Sequence, residues 1–544
     1  MKKFLLIAII LLAALLRFWK LDAYPAFNAD EAAIGYNAYS LIETGKDEHG
    51  NPWPVHFQSF NDYKPGLYVY VTLPFVKVLG LNEWAVRIPG AALGVLTVLV
   101  VYLLTKELFG KEKLSLAAGL FLAISPWHIH FSRGGWEVNA GTFFIAAGLL
   151  FFLKALKKPK LLAFSFLLFA LSLYTYHAAR IIVPILGLGL LVIHRRDLIK
   201  NLKTVIIASV LGAVLLIPLA RDLLGPAGVS RAAGVGLFAD QGPFNRVNEQ
   251  RGEHNDFTGP FAKLLHNKPV NYGLAFVQNW AEHYHGEFLF LSGDDIQRNK
   301  VPETGQMYLF DILFFAVGLI FILKNYSSVP KSYGIVLWWL LIAPIAAALT
   351  FQSPHALRAH NMVIPLMMVS TLGFLDIVEW IKKFKNKRLV SALYFLLLAL
   401  IAWQFVRYEH IYWVHMAKEY PFSSQYGVKE LVAYLEGEGV DKSKKVMVTD
   451  RYDQPYILFL FYLKYDPAGF QAGHVLTPRD QFGFSTVRNF GKYTFTSITN
   501  WDSTRQEYRD ALIAGTDEEI FEGTNVVKDI YGTNGHKYFQ VVAN

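Results

Sequence analysis

Trp84-Ala-Val-Arg87-Ile-Pro89-Gly-Ala-Ala-Leu-Gly-Val-Leu-Thr-Val-Leu-Val-Val-Tyr-Leu-Leu-Thr-Lys106 is the stretch whose reading decides the fold. From Ile88 to Leu108 it is apolar over a length that crosses a bilayer, it is entered by an interfacial tryptophan, and the basic turn Lys106 to Lys113 follows. Composition agrees, since 53% hydrophobic and 15% aromatic residues in 544, with a mean hydropathy of +0.30, exceed what a soluble domain carries. The net charge of +9 would point to nucleic acid in a soluble chain. Here the cations sit in short turns between apolar runs and mark the cytoplasmic side, so no nucleic-acid partner is expected. With no cysteine there is neither a disulfide framework nor a thiolate metal site.

Upstream, Phe4 to Trp19 follows Lys2-Lys3 and lacks a small-residue cleavage site, which makes it a retained anchor with its N-terminus inside. An outer loop at 21–87 separates the two spans; within it Leu67 to Leu81 carries Pro74 and Lys77 and reads as an interfacial helix. Downstream, further spans are expected at Leu114 to Phe131, Ala140 to Leu156, Leu161 to Tyr176, Ile181 to Ile193 and Val205 to Leu219. A long polar outer loop at 221–307 is too irregular for a mere connector. Spans resume at Leu309 to Leu323, Tyr333 to Thr350, Met362 to Val378 and Leu389 to Val406. The expectation is a mostly α, polytopic helix bundle of about 11 spans, 1–406, with an outer α/β domain at 407–544. In that domain Val428 to Glu438 and Pro455 to Tyr465 read as helices, and Lys445 to Thr449 and Lys537 to Val542 as strands. Tyr493, Phe495 and Trp501 have the makings of a sugar-stacking surface, but aromatics in strands more often form sheet core.

The chemistry-bearing residues gather on one side of the membrane. In the first outer loop Asp30 and Glu31 open a helix, with Asn28 and Asp30 as capping signals, and Lys64 closes the stretch. At the outer ends of spans stand Arg87, Arg133, Glu137, Tyr176, His177, Arg180, His355, Arg358 and His360. Each alone reads as a solvated helix end. Together, Lys64, Arg87, Arg133, Arg180 and Arg358 with Asp30, Glu31 and Glu137 make a cationic pocket suited to a phosphate, with carboxylates for proton abstraction. Tyr63, Tyr176, His177 and His355 are expected to line the substrate. His128 with His130, and His283 with His285 between Glu282 and Glu287, have the alternate spacing of one strand face, which leaves a divalent metal open beside ordinary loop hydrogen bonding. No other cofactor is indicated. No glycine-rich phosphate loop, nucleotide motif or Asp-x-Asp pair is present, which argues against a nucleotide-sugar or ATP-driven enzyme.

These residues carry a resemblance. Asp30-Glu31, Lys64-Pro65-Gly66, Asn82-Glu83-Trp84-Ala85-Val86-Arg87-Ile88-Pro89, and Ser132-Arg133 with Glu137 resemble the GT-C glycosyltransferases of the family 39 type, the protein O-mannosyltransferase and lipid A aminoarabinose transferase group. The likeness is strongest over roughly the first third of the chain, where sequence order carries it. It implies transfer of a sugar from a polyprenyl-phosphate carrier to an acceptor glycan, lipid or protein, on the outer face of the plasma (inner) membrane and with inversion. The family's catalytic acid falls on Asp30, its phosphate-binding lysine on Lys64 and its second acid on Glu137. Where the aminoarabinose branch has an arginine after the first acid and an acid before the lysine, this chain has Ala33 and Tyr63. Two other classes remain as alternatives. A lipid-sugar flippase or transporter calls for midplane charges and internal halves, and neither is visible. A polysaccharide polymerase is the second; an oligosaccharyltransferase is disfavoured because Trp338-Trp339 lies in a span without a following aspartate.

Overall fold

Hydrocarbon offers a backbone amide no partner, so apolar runs at membrane depth fold as helices. The computed structural model describes residues 2–60, 62–225, 227–228, 234, 236–254, 256–420, 425–438, 440–441, 444–479 and 484–544. Every apolar run expected to span is helical there. Among the described residues six helical stretches are long and apolar enough to cross a membrane: Glu83–Phe109, Glu137–Ala155, Phe310–Ser328, Pro330–Ala348, His360–Ile381 and Lys387–Glu419. Two bent pairs, Glu112–Ile124 with Pro126–Ser132 at 59° and Leu202–Leu215 with Ile217–Leu223 at 44°, raise this to eight if each pair is one span. Lys2–Phe18 and Leu161–Leu173, at 17 and 13 residues, are shorter than that measure, and Ala179–Lys200 is interrupted at His194. Leu67–Leu79, 13 residues long, reaches only about 20 Å, too short to cross a core of about 30 Å.

The chain divides into two units. One comprises Met1–Arg17, Ala92–Ser132 and Trp136–Glu409, and the other Phe18–Ala91, Arg133–Gly135 and His410–Asn544. The second unit therefore joins the first loop to the C-terminal segment. Its Ala29–Thr44 helix is stopped at Gly45, whose φ of 71° a side chain would resist, and packs on Leu67–Leu79 and Pro455–Leu463. The loop also forms a hairpin of β1 (His56–Ser59) and β2 (Asp62–Pro65). The C-terminal segment contributes a mixed six-stranded sheet of β3 (Val446–Val448), β4 (Asn489–Phe490), β5 (Tyr493–Phe495), β6 (Leu512–Gly515), β7 (Val526–Tyr531) and β8 (Lys537–Ala543). Their order is β4-β5-β3-β6-β8-β7, with β3 parallel to both of its neighbours. The helices expected at 428 and 455 are Val428–Leu435 and Pro455–Leu463. Tyr493 and Phe495 are buried in the sheet core, and Trp501 packs on Met447, Ile498 and Ile513. Both histidine pairs are corrected: His128 and His130 lie on the Pro126–Ser132 helix, and His283 closes Lys268–Glu282. Residues two apart on a helix point about 200° apart, so His128 and His130 share no face, while His283 and His285 stand in the non-strand segment that follows Lys268–Glu282.

In the first unit, Phe310–Asn325 crosses Val363–Ile381 at two glycines. A Cβ on Gly373 would stand 1.9 Å from the Phe314 carbonyl oxygen, and one on Gly318 2.0 Å from that of Val369. Helices in lipid have no hydrophobic drive to associate, so close backbone approach of this kind supplies their packing energy. Gly373→Ala should cost about 1–3 kcal/mol of stability by overpacking. Gly187→Ala, with nothing within 4 Å of the added carbon, should be neutral or better. Thermal unfolding of both variants in one detergent checks this; equal melting would show that the crossing tolerates a methyl group.

Candidate functional site

The site grows from a helix start in the second unit. Asn28 is extended; its side chain accepts from the Glu31 amide at 3.1 Å, and the Asn28 amide donates back to Glu31 Oε2 at 3.4 Å. The cap is thus Asn28, and Asp30 falls inside the first turn. Glu31 is 1% exposed, and its carboxylate is saturated. Arg87 Nε donates to Oε1 and Nη2 to Oε2, both at 2.7 Å, while the Gly135 amide donates to Oε1 at 2.8 Å. The remaining Arg87 donor, Nη1, reaches the Leu21 and Pro25 carbonyls at 2.9 and 2.8 Å. Nη2 also donates to the Ala26 carbonyl at 3.3 Å, so Arg87, 0% exposed, holds a carboxylate and three carbonyls in place.

Asp30 is one residue away and differently placed. Its carboxylate accepts from Lys64 Nζ, and the two side chains are 25% and 21% exposed. The hairpin delivers that lysine, since Lys64 pairs with Phe57 across β1 and β2. Phe60 enters the turn at φ 55°, its ring centre 5.0 Å from Lys64 Nζ. Asn61 lies outside the described residues. Tyr63, on β2, is half-buried beside Lys64.

Arg133 belongs to the same unit and is fully buried. It donates to Tyr412 Oη at 3.0 Å and to the Trp19 and Tyr24 carbonyls at 2.7 and 3.0 Å, and it lies 4.7 Å from the Trp413 ring centre. Asp30, Glu31, Tyr63, Lys64, Arg87 and Arg133 are therefore brought into one unit. Glu137, Tyr176, His177, Arg180, His355 and Arg358 belong to the other. There Glu137 starts the Glu137–Ala155 helix, and Arg180 Nη1 lies 3.0 Å from His177 Nδ1, next to the largely buried Tyr176. Arg358 donates to Thr350 Oγ1 at 2.7 Å and Gln352 Oε1 at 3.0 Å; the His355 amide donates to His283 Nε2 at 3.1 Å. His360 is buried against Thr142. Among the described residues no group of three His, Cys, Asp or Glu could hold a metal ion.

Sequence reasoning missed Phe60, Gly135 and Glu48. Gly135 has a signal in hindsight, following Ser132-Arg133 closely; a Cβ there would meet Val86 at 2.9 Å and Glu31 Cγ at 3.4 Å. Glu48 has none. It is 0% exposed, and among the described residues neither carboxyl oxygen has a hydrogen-bond partner. Burial, and then the neighbouring Asp47, push its carboxyl up to about 8, against smaller downward pulls from Asn37 and then Lys64. His49 beside it is pushed down to about 3 by burial and by His474, whose Nε2 lies 2.8 Å from His49 Nδ1.

Residues 63–220 match the family model for dolichyl-phosphate-mannose-protein mannosyltransferase. An uncharacterized protein of Aquifex aeolicus is 28% identical over 173 residues, 32% of this chain, and the chain spans about a third (34%) of that relative's length. The oligosaccharyltransferase of Archaeoglobus fulgidus in its apo form superposes with a TM-score of 0.55 at 12% identity, over 95% of this chain and 69% of that one. The Archaeoglobus enzyme with an inhibitory peptide and a dolichol-phosphate gives 0.51 at 14%, over 85% and 63%. ArnT from Cupriavidus metallidurans bound to undecaprenyl phosphate gives 0.54 at 12%, over 98% and 97%. At such identities the likeness is one of fold, and the fold is that of the GT-C glycosyltransferases.

Two outcomes follow from the buried acids. Glu31→Gln leaves the Arg87 charge buried without its counterion, a loss of about 3–5 kcal/mol, read as a lower melting temperature or reduced folded yield. Glu48 binds its proton more tightly folded than unfolded, so stability is highest below pH 4.5 as far as this group is concerned and falls as pH rises towards 8. Glu48→Gln should leave melting near pH 5 unchanged and raise it above pH 8, and parallel melting curves across that window would discount the buried acid.

Proposed function

We propose that this chain is an inverting glycosyltransferase that moves a sugar from a polyprenyl-phosphate carrier to an acceptor hydroxyl on the outer face of the plasma (inner) membrane. Its N-terminus is then cytoplasmic, and the site and the C-terminal segment are extracytoplasmic. The carrier class comes from fold neighbours that bind undecaprenyl phosphate and dolichol-phosphate. The observation that carries the reading is the Asp30–Lys64 pair, partly open to solvent, next to a buried Glu31 taken up by Arg87, Gly135 and Asn28. One acid holds the structure and its neighbour is left accessible.

Asp30 is the general base. The first turn of a helix favours its ionised form, and Lys64 keeps it oriented until substrate arrives. A donor phosphate competes for Lys64, which frees the Asp30 carboxylate to take the proton of the acceptor hydroxyl. The hydroxyl oxygen forms its bond to the sugar's anomeric carbon from the face opposite the phosphate as the carbon–oxygen bond to phosphate breaks. The electron pair leaves on the polyprenyl phosphate, where Lys64 stabilises it. The prenyl tail remains in lipid and needs no aqueous pocket. Glu31 and Arg87 position the helix start. We assign Arg133, Arg180 and Arg358 a share in phosphate handling, Glu137 a share in orienting the acceptor, and Tyr63, Tyr176, His177 and His355 the substrate lining.

With purified polyprenyl-phosphate sugar, Asp30→Asn should lower turnover by on the order of 10² to 10⁴ while melting stays at the parent value, because asparagine keeps the shape. Lys64→Ala should weaken donor handling by about 1.5–3 kcal/mol, the worth of a charge-assisted contact. Turnover of Asp30→Asn within a few-fold of the parent would move the base elsewhere.

A further inference from the structure

The 221–307 stretch contains helices whose two sides can be compared. In Gly242–Gly252 the buried residues are Pro243 and Val247, and Asn245, Arg246, Asn248 and Glu249 are exposed, as for a helix against water. The next two helices are the other way out. In Pro260–Leu265 the small Ala262 is buried, whereas Phe261, Leu264 and Leu265 are 74%, 68% and 53% exposed. In Lys268–Glu282 the buried residue is Asn271, and Val270, Leu274 and Val277, at i, i+4 and i+7, are 40%, 61% and 56% exposed. Gly273 and Ala281 extend the same exposed stripe.

The inward, polar side of Lys268–Glu282 and the turn after it are bonded to a membrane-crossing run. Asn279 Nδ2 donates to the Ala348 and Thr350 carbonyls at 3.2 and 2.9 Å, Trp280 Nε1 to that of Leu341 at 2.9 Å, and Tyr284 Oη to that of Leu340 at 2.6 Å. Leu340 and Leu341 precede the end of Pro330–Ala348 by about two helical turns, or roughly 10–12 Å. The Leu341 side chain is itself 48% exposed, so that helix also presents an apolar group outward where Trp280 is bonded to it.

We propose that Pro260–Leu265 and Lys268–Glu282 form a membrane-surface element. Its apolar stripe enters the boundary between headgroups and acyl chains next to the end of Pro330–Ala348, and its occupant is lipid. A stripe facing water would be the reverse of the Gly242–Gly252 arrangement in the same loop; facing acyl chains, it is the ordinary arrangement for a helix lying in the interface. Exposed Lys263 and Lys268 stand among the apolar residues of the N-terminal half of the element, where their stems can lie on lipid and their ammonium groups at headgroup level. The proposal rests on Pro330–Ala348 crossing the bilayer and is independent of the catalytic assignment.

The chain has no native cysteine, so single spin labels can be placed directly. Val270→Cys, Leu274→Cys and Val277→Cys, with Asn248→Cys as the aqueous control and Leu396→Cys in Lys387–Glu419 as the lipid control, would be labelled in the full chain in phosphatidylcholine vesicles. Collision with oxygen and with a water-soluble nickel chelate should place the stripe roughly 5–10 Å below the phosphate level and Asn248 in water. A photoactivated lipid probe on the unsubstituted chain should mark residues 261–277 in preference to 242–252. If the stripe collides with nickel, or is shielded from both agents as under a protein partner or second copy, while Leu396 still reads as lipid-facing, the proposal is overturned. If Leu396 also reads as aqueous, the membrane-crossing reading falls with it.

Discussion

The second unit depends on the buried pair between Glu31 and Arg87. A carboxylate and a guanidinium taken out of water stand to lose more in desolvation than they regain, unless every lone pair and N–H is used. Here they are nearly all used: Arg87, Gly135 and Asn28 fill the carboxylate, and the Leu21 and Pro25 carbonyls take up Nη1. One arginine therefore fixes residues 21 to 31 against the start of Glu83–Phe109, and the Gly135 amide closes the arrangement from a third segment. Without that knot the capping box would have little to orient it.

From this follows the different fate of two adjacent acids. On a helix successive residues point about 100° apart, so when Glu31 turns inward to Arg87, Asp30 faces outward towards the hairpin. Lys64 meets it there, steadied by the Phe60 ring. The next acidic pair in the loop is resolved otherwise. Asp47 is capped by Asn51 and the His49 amide, whereas the Glu48 carboxyl oxygens have no hydrogen-bond partner among the described residues and burial pushes that carboxyl up to about 8. Four carboxyl groups in one loop thus serve as a buried lock, a partly exposed partner of Lys64, a turn cap and a buried acid with a raised pKa, each set by its surroundings.

The same principle governs the first unit on a larger scale. Where helices meet each other, as at Gly318 and Gly373, the side chain is reduced to nothing so that backbones can touch. Where they meet the medium, apolar groups turn outward, and polar ones such as Asn279 turn in to find carbonyls. Lys387–Glu419, with none of its most apolar window buried, is the extreme case.

Much of this was legible in the chain by itself. Apolar length fixed the helices, because a backbone in lipid has no alternative, and the acid-lysine-arginine order placed Asp30, Lys64 and Arg87 in one loop region. The C-terminal elements at 428, 446, 455 and 537 could be read to within a few residues from periodicity alone. What the sequence could not say was which acid is sunk and which is open, since Asp30 and Glu31 are equal in a string and differ only in which reaches Arg87. Nor could it separate the twelve expected site residues into the two units they occupy, or show that the C-terminal sheet belongs with the first loop. Local pattern determines elements because it acts through neighbours along the chain; the roles of Glu31, Glu48 and Gly135 were decided by groups brought near only by folding.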